Sequence, residues 1–161
     1  MGAKMGQRMN AAPLLNALVA GMSKVRLEAI LIGNAAAAIH GAPVTTLDFD
    51  FMFRSTPLNL AKLKKLAAVL DAMIRPYYPA SKLYRVDNDE RGLQADFMAT
   101  IHGVKSFNSL RSRAEKIQLG KNFLWVAHLK DIIASKRAAG RPRDKAVLAI
   151  LETTLLEKTK S

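Results

Sequence analysis

Asp48, Phe49 and Asp50 place two carboxylates one residue apart within an apolar stretch, LIGNAAAAIHGAPVTTLDFDF. If that stretch is extended, residues i and i+2 project to one face about 6.6 Å apart, so the two acids are neighbours. Such a pair is costly unless a cation lies between them. Hard divalent ions such as Mg²⁺ take carboxylate oxygens and complete their shell with phosphates. A third acid, Asp96, is flanked by apolar residues in LQADFMA, as an adjacent strand requires. Three carboxylates on adjacent strands can hold two metals about 4 Å apart, one for the attacking oxygen and one for a triphosphate. Upstream, Gly33 and Asn34 fall between an apolar run and an Ala-rich segment, where a helix N-terminus suits a phosphate.

The elements that must position these residues are read from periodicity and turn chemistry. Helical spacing runs from Ala11 to Ser23, with Pro13 suited to a first turn. A buried strand is expected over Leu27 to Ile32, and a short helix capped by Asn34 closes at Gly41. Leu47 to Phe53 alternates as a strand, and Thr56-Pro57 opens a helix that runs until just before Pro76. Lys82 to Val86 and Leu93 to Met98 read as two strands joined through the polar stretch from Asp87 to Arg91. A helix at Phe107 to Ala114, a strand at Lys116 to Leu119, and helices at Val126 to Ala139 and from Asp144 onward complete the chain. The order is α/β or α+β, with a small mixed sheet flanked by helices and a helical C-terminal part.

At 161 residues the chain is expected to form one domain, with a sheet-containing core over about 25–120 and C-terminal helices over about 121–161. No apolar run is long enough to span a membrane, and the N-terminus lacks a secretory core, so a cytoplasmic protein is expected. Without cysteine, thiol nucleophiles and thiolate metal sites are excluded. Lys and Arg number 25 against 13 Asp and Glu, a net charge of +12 that draws polyanions. Lys136, Arg137, Arg141, Arg143 and Lys145 concentrate part of that charge and suit the phosphates of an RNA. His40 is expected to bond a loop carbonyl, His102 and His128 to be structural or exposed, and Trp125 to lie in the core.

The stretch GNAAAAIHGAPVTTLDFDF resembles the signature of the DNA polymerase β-like nucleotidyltransferase superfamily, in which a glycine turn and helix precede D-x-D. G-x-A-A-x-x-H-G with Pro and Thr before the acids is most similar to the small AbiEii-type and toxin-type enzymes. KDIIASKRAAGRPRD resembles that family's helix bearing an acid, four residues and a lysine, here Asp131 and Lys136. Asn34 stands where the superfamily prefers Ser or Gly, and Val44 where relatives often carry Arg.

The resemblance implies an Mg²⁺-dependent transfer of a nucleoside monophosphate from an NTP to a hydroxyl. Gly33 and Asn34 would bind phosphates, and Asp48, Asp50 and Asp96 would hold two Mg²⁺, with Asp96 also acting toward the acceptor. Lys136 would face the triphosphate, oriented by Asp131. An RNA acceptor, tRNA in particular, and a cognate antitoxin follow from the toxin-type resemblance. Two alternatives stay open: a small-molecule acceptor, as in antibiotic-modifying relatives, and an inactive basic nucleic-acid-binding module on the same fold.

Overall fold

A computed structural model describes residues 2–46, 48–76 and 82–160, with side chains from Ala12 onward. Helix α1 (Gly2–Val25) is longer than expected and carries Pro13 in its interior, because the Ala, Lys, Met and Gln residues before it also favour helix. The chain turns through Arg26, at φ 58°, into strand β1 (Ala29–Ile32), which is buried throughout. Helix α2 (Gly33–Ile39) follows directly, capped by Ile32 without any side-chain bond, so Asn34 is its second residue rather than its cap.

Strand β2 (Phe49–Phe53) begins after Asp48, which lies in the preceding loop; Leu47 falls outside the described residues. Thr56 caps helix α3 (Pro57–Val69) by accepting from the Asn59 N–H at 3.1 Å. That helix stops short of the expected boundary. Asp71, at φ 51°, reverses the chain into strand β3 (Met73–Pro76), which finds a partner in β4 (Leu83–Asn88). A short 3₁₀ turn (Asp89–Arg91) and Gly92 then join β4 to β5 (Leu93–Met98), the expected hairpin.

Helix α4 (Phe107–Arg113) is capped by Ser106, and strand β6 (Glu115–Leu119) follows it. An unexpected strand, β7 (Asn122–Val126), pairs with β6 and β1. It adds a sheet element beyond residue 120, where only helices were expected. Helix α5 (Leu129–Ala139) ends at left-handed Gly140, and α6 (Pro142–Lys160) closes the chain.

The strands form one mixed sheet in the order β3-β4-β5-β2-β1-β7-β6. Pairs β2/β5 and β1/β7 are parallel and the rest antiparallel. Phe51 and Phe97, register partners, stack at 4.9 Å within the core. Alternation along the same two strands therefore aligns Asp50 with Asp96 on the other face. Among the described residues no helix is long and apolar enough to cross a membrane.

Candidate active site

The central pairing of the sheet builds the site. Asp50 is the register partner of Asp96 on parallel β5 and of Ile32 on β1, the residue just before the Gly33 turn. Gly33 has φ +70°, and a Cβ added there would come within 3.1 Å of Asp50 Oδ2. Glycine serves twice here: it accepts the left-handed backbone and keeps the space above Asp50 open. Asp48 stands beside the same face from its loop, where Gln94 Nε2 donates to its Oδ1 at a long 3.5 Å. Asn34 Oδ1, next to the Gly33 turn, is buried and has no hydrogen-bond partner among the described residues.

Asp50 differs from every other acid nearby. Among the described residues no side chain hydrogen-bonds to it, and its pKa is pushed up to about 6. Burial is the main cause, followed by the neighbouring charges of Asp96 and Asp48; Lys136 and Arg143 partly offset them. Asp96 is instead held by Arg85, its partner on β4, through Nε at 2.9 Å and Nη2 at 3.1 Å. Such bidentate pairs fix orientation as well as charge.

Helices α5 and α6 bring the cations. Lys136 is half-buried, and burial lowers its pKa despite the attraction of Asp144 and Asp50. Asp144, almost wholly buried, accepts from Arg141 Nε at 2.6 Å, Nη2 at 3.2 Å and the backbone N–H at 3.2 Å. This is a capping arrangement in which the third helical residue reaches back to the cap. The Arg141 bonds hold the Asp144 carboxyl below the usual range. Lys136 Nζ lies 3.9 Å from Asp144 Oδ1.

The expected roles change accordingly. Asp131 does not orient Lys136; it gives both oxygens to Arg113, at 2.8 and 2.9 Å, and Asp144 is the acid beside the lysine. Five residues along a helix turn the side chain by about 140°, so Asp131 and Lys136 face different neighbours. Asp144 was missed because its relation to Lys136 crosses from one helix to another. Three of the five basic residues proposed for RNA are paired with acids: Lys136 and Arg141 with Asp144, and Arg137 with Glu152 at 3.4 Å. Arg143 and Lys145 are exposed. His40 bonds the Ala127 carbonyl through Nε2 at 2.7 Å, as expected of a structural histidine, and His128 caps α5. Trp125 is only half-buried, under Arg111.

Among the described residues no three His, Asp or Glu side chains form a ready metal cage. Asp48, Asp50 and Asp96 share a region, but Arg85 occupies Asp96 and Asp48 approaches from a loop. The donor set nonetheless fits a hard divalent ion bound together with a phosphate ligand. It offers oxygen donors, an acid without a bonded partner among the described residues, and an open glycine turn beside it.

The fold is similar to that of solved structures of the antibiotic-resistance factor ANT(2'')-Ia. A solution structure of the antibiotic-resistance factor ANT(2'')-Ia superposes with a TM-score of 0.63 at 10% identity, covering 89% of this chain and 83% of that one. A crystal structure of ANT(2'')-Ia in complex with adenylyl-2''-tobramycin gives 0.59 at 13% identity, covering 92% of each chain. No protein-family profile matches the sequence, and no curated protein is detectably similar to it.

Proposed function

We propose that this chain transfers a nucleoside monophosphate from an NTP to a hydroxyl of a small molecule. The observation that carries the reading is Asp50: a half-buried acid with no bonded partner among the described residues, register-paired with Asp96 and facing the open Gly33 turn, on a fold shared with ANT(2'')-Ia. The ANT(2'')-Ia structures support a small acceptor, one being a complex with an adenylylated antibiotic. An RNA acceptor has less support, since most of the basic cluster behind it is paired internally, and neither ANT(2'')-Ia structure bears on an antitoxin or an AbiEii-type assignment.

In this reading the acceptor oxygen attacks the α-phosphorus and pyrophosphate leaves. Gly33 lets the phosphates approach the backbone, and Lys136 counters charge on the triphosphate. Asp96, kept in place by Arg85, takes the acceptor's proton. Asp48 and Asp50 would hold Mg²⁺, which supplies charge neutralisation and Lewis acidity at the phosphate. The second ion of the expected pair would require Asp96 to exchange Arg85 for metal. Asn34 Oδ1 is an acceptor and suits a hydroxyl or amide donor on the nucleotide better than a phosphate oxygen.

The test is incubation with each α-labelled NTP and either aminoglycosides such as tobramycin or total RNA. Label on the small molecule, lost in Asp50→Asn, is expected. Label on RNA alone would overturn the acceptor, and no transfer to anything would overturn the activity.

A further inference from the structure

The end of the sheet away from Asp50 carries a second set of groups that the proposed reaction does not use. Asp50 pairs with Ile32, whereas Phe53 pairs with Ala29, so Arg54 lies about 13 Å further along the strand. There a cavity of about 300 Å³ is lined by Glu28, Arg54, Phe107, Arg111 and Trp125, among others. A second of about 240 Å³ shares Leu27, Ala29 and Trp125 with it and extends to Arg26 and Phe123. The two form one elongated groove running past the indole.

Its chemistry alternates rings and cations. The Arg111 guanidinium lies 3.1 Å above the centre of the Trp125 ring, and Arg54 lies 4.6 Å over Phe107. Lys116, the register partner of Trp125, lies 4.3 Å over Phe123. Phe123 is 50% exposed, so part of its ring is open to a ligand. Glu28 is the acid in the lining, and it is already bound to Arg54 at 3.1 Å. Among the described residues no acid pairs with Arg26, Arg111 or Lys116. Trp125 and Phe123 alternate along β7, which puts both on one face with their Cα atoms about 6.6 Å apart.

We infer that this groove binds single-stranded nucleic acid, with bases on the Phe123 and Trp125 side and phosphates on Arg26, Arg111 and Lys116. Rings in a cationic groove recognise a strand whose bases are unstacked, because each base offers a flat face and each linkage an anion. A duplex buries those faces, and an acidic peptide has none. The inference is independent of nucleotidyl transfer: it uses no residue near Asp50.

Trp125 is the chain's single tryptophan and reports on the groove directly. Short oligothymidylate added to the intact protein is expected to quench its fluorescence, and duplex DNA or polyglutamate to quench it far less. Phe123→Ala should weaken oligothymidylate binding about tenfold while leaving heparin binding unchanged. Phe123→Leu, which keeps apolar bulk, should show the same loss should the alanine variant fold poorly. Lys116→Gln should weaken both ligands and lower the slope of log affinity against log salt by about 1. An unchanged tryptophan signal, equal quenching by polyglutamate, or wild-type affinity in both Phe123 variants would overturn the proposal.

Discussion

Asp50 is half-buried and Asp144 fully buried, and the fold treats the two acids in opposite ways. Asp144 receives three hydrogen bonds from Arg141 and has Lys136 nearby, so its carboxylate is stabilised. Asp50 is close to two further carboxylates, with no bonded cation among the described residues, and its charge is disfavoured. In the proposed function the contrast separates a structural acid from one whose partner would be a ligand. It also assigns Lys136 a double allegiance, anchored by Asp144 and turned toward the field of Asp50.

The largest effect expected from breaking this contrast is on chemistry. Asp50→Asn and Asp48→Asn should each lower labelled-nucleotide transfer by about a thousandfold or more, since in the proposed function either removes a charge that the metal would need. Asp144→Ala should act on the fold instead, costing about 3 kcal/mol in urea denaturation, because it strands Arg141 and removes a helix cap.

The two acids should also give opposite pH signatures. Asp144 has a lowered folded pKa, so its contribution is present at neutral pH and is lost as acid protonates it. Asp50 is raised to about 6, so its cost is present above that value and fades between about 6 and its ordinary 3.8. Asp50→Asn should therefore stabilise the metal-free protein by up to about 3 kcal/mol at pH 8, and the gain should shrink steadily below pH 6. A gain that grows on acidification would contradict the assignment. The smallest effect belongs to Lys136→Ala: nucleotide affinity measured by calorimetry should weaken about tenfold, with the fold retained.

Much of this arrangement was legible in the sequence because it rests on short-range rules. Alternation in LDFDF and LQADFMA gave the paired strands, the polar stretch between Asp87 and Arg91 gave the hairpin, and Gly140 gave the end of α5. What stayed hidden depends on packing between distant segments. NFLWV gained a strand's identity only by pairing with β1 and β6, and MIRP only by pairing with β4. Arg85 opposite Asp96 is a register fact, invisible until the strands align. Asp131 satisfied the spacing of a motif, while the direction of its side chain on α5 took it to Arg113.

The central claim is that Asp50 is an acid reserved for a metal-bound nucleotide. It is tested most directly by Mn²⁺ binding followed by electron paramagnetic resonance, with and without a non-hydrolysable NTP analogue. The wild type should bind Mn²⁺ more tightly when the analogue is present, Asp50→Asn should lose that binding by at least about tenfold, and Arg85→Gln should keep it or strengthen it as Asp96 is released. Undiminished, analogue-dependent Mn²⁺ binding by Asp50→Asn would contradict the account.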